Sequence, residues 1–163
     1  MNDQDITLRR IEARDNREIA EVIRSVFREF KIDKPGTVYY DPTTDDLYNL
    51  FNKPGCLYWI AEENGRIIGG CGVYSTPGLP GGCAELVKLY LLPQARGRGI
   101  GRMLMEKTFE SAKEYGYRQL YLESMPELGK AIGIYQKAGF SFIPERMGNS
   151  GHFCCNIWMI KNL

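Results

Sequence analysis

Apolar and polar positions alternate from Ile6 to Ile11 (Ile6, Leu8, then Ile11 beyond two arginines), the period of a strand with one buried face. The period then changes. Ile19, Val22, Ile23, Val26, Phe27 and Phe30 recur at steps of three and four, which predicts a helix over 17–30 capped by Asp15 or Asn16. Residues 31–42 hold two prolines and a glycine and read as a loop. A short helix, Asp45 to Phe51, follows from Thr43 or Thr44, with its acids in the first turn. Leu57 to Glu62 and Ile67 to Tyr74, joined through Asn64-Gly65, predict a hairpin with a tight turn. Thr76 to Gly82 is too rich in proline and glycine for a regular element. The remaining pattern gives a strand over 84–92, a helix over 100–115 stopped by Gly116, and a strand over 118–123. A helix over 126–138 stopped by Gly139 and strands over 140–143 and 153–160 complete the chain. The step from strand 84–92 through a helix to strand 118–123 has the length of a right-handed parallel crossover, whereas the earlier pairing is antiparallel. The class is α+β, with one domain over 1–163.

Composition narrows the function classes. The chain has 163 residues, 44% hydrophobic and 25% charged, which suits one globular domain. Twenty-one Lys+Arg against twenty Asp+Glu leave net +1, so no broad field attracts nucleic acid or an anionic membrane. No apolar run approaches the roughly 20 residues that span a bilayer. Five cysteines (Cys56, Cys71, Cys83, Cys154, Cys155) without a CxxC pair, and one histidine, His152, make no metal pattern. The odd thiol count and the polar, acidic first residues point to a reducing, cytoplasmic compartment.

Chemistry concentrates between strand 84–92 and helix 100–115, in Gln94-Ala95-Arg96-Gly97-Arg98-Gly99-Ile100-Gly101. Alternate glycines let consecutive backbone N–H groups face one ligand at a helix start, where unpaired donors and the dipole favour phosphate. Arg96, Arg98 and Arg102 add charge-assisted contacts. Residues 88–107 carry five basic side chains against Glu106 alone, a local excess hidden by the neutral total. The loop is neither a Walker A motif, which needs Gly-Lys-Ser/Thr, nor the Rossmann GxGxxG.

Gln94-x-x-Gly97-x-Gly99, behind a strand ending Leu89-Tyr90-Leu91-Leu92-Pro93, resembles the acyl-CoA pyrophosphate motif of the GNAT N-acetyltransferases. Ala131-Ile-Gly-Ile-Tyr135-Gln-Lys-Ala-Gly139-Phe140 is similar to that family's second signature, a Tyr-bearing helix ending in Gly-Phe. The resemblance implies a mixed, mostly antiparallel sheet of six to seven strands with about four flanking helices. It implies a splay between the fourth and fifth strands, acetyl-CoA as co-substrate in the gap, and no metal. Main-chain groups of Leu89 and Leu91 would meet the pantetheine arm, and amides from Arg96 through Ile100 and Gly101 the pyrophosphate. Where the family often has an Asn, this chain has Leu128. Dimers are common in the family, so a homodimer stays open.

The implied reaction moves an acetyl group to a primary amine of a small molecule or an exposed peptide amine by direct attack. Its rival is an acyl-CoA-binding module that senses without turnover. Direct attack needs a base for the amine and an acid for the leaving thiolate. Tyr135 is the candidate acid, since a phenol holds its proton at neutral pH. Glu85 is the candidate base, with Glu123 in reserve; strict alternation puts Glu85, Val87 and Leu89 on the face opposite Lys88 and Tyr90. Tyr39, Tyr40 and Asp41 lie where the family builds its acceptor wall, while Asp45 and Asp46 also serve as plain first-turn acids. His152 either reaches the acceptor or ends a loop.

Overall fold

The computed structural model describes residues 5–163; the first four, which entered the compartment reading, lie outside that range. The strands are β1 (Ile6–Arg10), β2 (Leu57–Glu63), β3 (Arg66–Tyr74), β4 (Cys83–Leu91), β5 (Gln119–Ser124), β6 (Ser141–Ile143) and β7 (Ile157–Asn162). They form one mixed sheet in the order β1-β2-β3-β4-β5-β7-β6, in which only β4 and β5 run parallel. The helices are α1 (Asn16–Glu29), α2 (Leu47–Phe51), α3 (Ile100–Glu114) and α4 (Gly129–Lys137).

Each face of the sheet has its own core. On one, Ile100, Leu104, Met105 and Ala112 of α3 pack with Ala84, Leu86, Leu120 and Leu122. On the other, Ile19, Val22, Ile23 and Phe27 of α1 join Leu47, Phe51, Tyr58 and Ile60. Arg9 fixes the start of α1, donating to both carboxylate oxygens of Asp15 at 2.7 and 2.8 Å and to Glu62 at 2.8 Å.

Three boundaries depart from the sequence pattern, the first being the helix expected over 126–138, whose opening turn Pro126–Leu128 is 3₁₀ so that α4 begins at Gly129. Residues 31–46 are not loop followed by helix: Val38–Tyr40 and Pro42–Asp46 form 3₁₀ turns, and Asp46 caps α2 through the N–H of Asn49. The last strand starts at Ile157 rather than Phe153 because the preceding backbone is used elsewhere. Cys154 N–H donates to Gly36 O, Cys155 N–H to His152 O, and the Arg146 guanidinium to the carbonyls of His152 and Cys155. Those groups have none left for a ladder.

β4 also departs from simple alternation. Gly70 pairs with Tyr90 and Gly72 with Val87, so Lys88 and Leu89 together oppose Cys71 alone, a β-bulge. Lys88 takes φ 54°. The Tyr58 hydroxyl donates to Lys88 O at 2.7 Å and pins the bulge. Gly70 makes this contact possible, since a Cβ there would stand 2.4 Å from the Tyr58 ring.

Candidate active site

Parallel pairing of β4 with β5 covers only Cys83–Glu85 against Gln119–Tyr121. Beyond it β4 continues to Leu91 and β5 to Ser124 without pairing, leaving a slot walled by two unpaired strand edges. At the end of β4 lies the glycine loop. Gly97 and Gly99 both take left-handed backbone angles, φ 71° and 77°, and Gly99 caps α3. The first helical bond runs from Met103 N–H to Gly99 O. The N–H groups of Gly97, Gly99, Ile100, Gly101 and Arg102 therefore have no backbone acceptor among the described residues. Five donors beside a helix N-terminus form an anion cradle.

Tyr135 of α4 belongs to the core on the α3 face, in one cluster with Leu86 of β4 and Leu122 of β5. Its ring meets Phe140 edge-on at 5.9 Å, and the groups whose charge acts on it are Cys71 on β3 and Cys155 ahead of β7. Burial pushes the phenol above its ordinary range. Its hydroxyl has no partner among the described residues, yet it is not sealed off. It is free to donate.

On the other side of β4 lies a cavity of about 190 Å³, whose lining includes Asp41, Thr76, Glu85, Lys88, Ser150 and His152. Glu85 is 4% exposed and accepts from Thr76 Oγ1 at 2.5 Å. Burial raises its carboxyl from 4.5 to about 7, opposed first by the Thr76 hydrogen bond, helped by the charge of Glu123 and opposed further by Lys88 and Arg146. His152 Nε2 lies 2.8 Å from Asp41 Oδ2. That contact, with two hydrogen bonds from Thr43, holds the Asp41 carboxyl well below the usual range. An ionised Asp41 only accepts, so Nε2 carries the ring proton.

The far wall is a loop without regular structure, organised by Arg146. Its guanidinium bonds Glu123 (3.0 Å) and the carbonyls of His152 and Cys155, and Glu123 also accepts from Tyr121 (2.6 Å) and from Ser150. The Glu123 side chain is only 2% exposed. Arg146→Ala leaves that buried carboxylate without its cation and is expected to cost about 2–3 kcal/mol. For a chain of this length the melting temperature falls by about 5–10 °C. Thermal unfolding monitored by circular dichroism is the check, and an unchanged melting temperature would show that the hydroxyls suffice.

Similar proteins share the family and the fold. Residues 19–140 match the family described as Acetyltransferase (GNAT) family, three quarters of the chain. The chain belongs to the GNAT acetyltransferase family. This GNAT chain is 38% identical over 162 residues to the uncharacterized N-acetyltransferase YjgM of Escherichia coli (strain K12), covering 98% of this chain and 96% of that one. A GNAT-family acetyltransferase structure from Staphylococcus aureus Mu50 covers 97% of it and 99% of that chain, with TM-score 0.84 at 21% identity. The structure of the PaiA N-acetyltransferase from Thermoplasma acidophilum in complex with coenzyme A spans both chains in full, with TM-score 0.76 at 19% identity. The protein is an N-acetyltransferase.

In this GNAT enzyme the expected residues fall into three groups. Glu85 and His152 share the cavity, the glycines form the cradle, and Tyr135 sits in the α3-side core with its hydroxyl unpartnered among the described residues. Others have structural partners. Arg96 clamps Glu29 through two bonds at 2.7 and 2.8 Å and donates to Leu91 O, so that carbonyl is already engaged. Arg98 pairs with Glu63 at 2.7 Å, and Arg102 with Glu106 on the helix surface. Gln94 lines a separate surface depression beside α1. Asp45 binds Arg24, Tyr39 packs on Phe27 and Tyr40 is exposed, so of this segment Asp41 and Thr43 reach the cavity.

Two expectations about orientation are overturned. The bulge moves Leu89 to the α3 face with Leu86 and Leu91, while Val87 and Tyr90 face the other core. It also turns Lys88 into the cavity with Glu85 instead of away from it. Glu123 is committed to Arg146, Tyr121 and Ser150, which leaves Glu85 as the available carboxylate. Lys88, Thr76 and Arg146 were missed because a bulge and a long-range ion pair have no local period. The glycines opposite the bulge, at 69, 70 and 72, were its one visible trace. Among the described residues no cluster can hold a metal ion, and no helix is long and apolar enough to cross a membrane.

Proposed function

We propose that this enzyme transfers the acetyl group of acetyl-CoA to a primary amine by direct attack, with the thioester in the slot and the amine in the 190 Å³ cavity. The observation that carries the reading is Glu85, a carboxyl raised to about 7 at the junction of slot and cavity. Ionised, it takes a proton from the entering ammonium. The nitrogen lone pair then bonds to the thioester carbon, the C–S bond breaks, and the electron pair leaves on sulfur. Tyr135 donates its proton to that sulfur. The nitrogen sheds its second proton as the amide forms, which restores the phenol through solvent, and Glu85 releases its own proton to solvent, one net proton per turnover. The five free amides and the left-handed glycines support placing the pyrophosphate at the start of α3. No base accompanies Cys154 or Cys155, and burial pushes the latter up to about 12, so an acyl-cysteine route has no thiolate to start from.

Coenzyme A at millimolar concentration is expected to raise the melting temperature, since it binds only the folded state. Gly99→Ala should abolish most of that shift. A Cβ at φ 77° costs about 1 kcal/mol in strain and projects into the open cradle. No stabilisation of the wild-type protein, or an equal shift in the variant, would remove the cradle from the reading.

A further inference from the structure

The Lys88 ammonium presents an anomaly inside the cavity. Burial lowers its pKa, and the charges acting on it are the Asp41 and Glu85 carboxylates, yet it makes no hydrogen bond or ion pair among the described residues. Asp41 is already bonded to His152 and Thr43, and Glu85 Oε1 to Thr76. Three ammonium donors thus face a small space with no protein acceptor of their own. Half-buried Lys88 feels the Asp41 and Glu85 carboxylates at a distance, and an anion bonded directly to its ammonium would satisfy the donors they leave open. The left-handed φ of 54° that turns Lys88 inward is unfavourable for any residue with a Cβ, and the Tyr58 hydroxyl holds it there.

We propose that the acceptor is a free amino acid, whose carboxylate docks on Lys88 while its amino group reaches Glu85. This rests on the acetyltransferase reading above and names the substrate class of the same site. With Asp41 taken up by His152 and Thr43, one cation and one remaining carboxylate, Glu85, face the cavity and are the complement of a zwitterion. A diamine brings its second positive charge against Lys88, and a neutral amine leaves the ammonium unpaired. At about 190 Å³ the space is smaller than a drug-sized pocket and takes one small molecule. Leu50, Phe51, Tyr74, Pro77 and Val87 give it an apolar wall, so the amino acid carries an apolar side chain.

The test measures coenzyme A release from acetyl-CoA with the full chain and four acceptor classes: apolar amino acids, their carboxamides, polyamines and peptides with free N-termini. Amino acids are expected to be acetylated with kcat/KM about 100-fold above that of their carboxamides. Lys88→Met should erase that difference by lowering the value for the acid alone, and Lys88→Arg should restore part of it. Coenzyme A stabilisation of each variant reports its folding independently of the acceptor. Equal rates for acid and carboxamide, or an equal loss for both in Lys88→Met, overturn the proposal. Turnover of polyamines or peptides but not amino acids overturns it while leaving the acetyltransferase reading intact. No release with any amine defeats both.

Discussion

Tyr135→Phe is expected to lower turnover by about 10²–10³-fold while leaving coenzyme A affinity within about threefold of wild type. The substitution keeps the ring, so its edge-on contact with Phe140 and the packing of α4 persist. Only the unpartnered hydroxyl is lost. The donor suits its acceptor. The same burial that pushes the phenol up also pushes the thiol of Cys71, whose charge acts on Tyr135, up to about 12. A thiolate expelled into that environment is correspondingly more basic than the ordinary thiol value of about 8.5, so proton transfer from a buried phenol is not steeply uphill. Single-turnover release of coenzyme A, with affinity read from thermal shifts, checks the outcome. Undiminished turnover would take Tyr135 out of the acid role.

Glu85→Gln should lower kcat/KM by about 100-fold or more and stabilise the protein at alkaline pH. Wild-type activity should rise with pH through about 7, where the carboxyl ionises, and the glutamine variant should lose that limb. The stability effect follows from the direction of the shift. The folded-state value lies above the ordinary 4.5, so the folded protein binds this proton more tightly than the unfolded chain. Its contribution is complete below about 4.5 and is lost as pH rises through about 7. At pH 8 the wild type holds a buried carboxylate, and glutamine removes a cost of about 3 kcal/mol while still accepting from Thr76. Melting temperatures should therefore diverge at pH 8 and converge near pH 5. A variant less stable than wild type at pH 8 would mean that the charge itself holds the site together.

The parts of this site that were legible in the sequence are those whose cause is local. The cradle follows from glycine spacing at a helix start, whereas Tyr135 was singled out only by the resemblance of its helix to the family's Gly-Phe signature, since its spacing alone reads as core packing. Glu85 could be singled out by position, but its burial depends on Thr76 and a wall built by residues 149–152. Period-two alternation failed at Lys88 because a bulge inserts one residue and exchanges the faces beyond it. The arginines at 96 and 98 looked like phosphate ligands because their acidic partners, Glu29 and Glu63, lie 67 and 35 residues away. His152 was ambiguous for the same reason, since Asp41 is 111 residues distant.

The brevity of the β4–β5 pairing has a mechanical consequence. Four strands on one side and three on the other meet along Cys83–Glu85, so the sheet bends most readily at that seam. Glu85 is its last rung. If the acyl carrier fills the slot as proposed, it braces the seam on both sides and holds the proposed base in one place. With the slot open, the base rides on the joint itself. On this reading the carrier is a keystone as well as a donor, and an amine that arrives first meets an unfinished site.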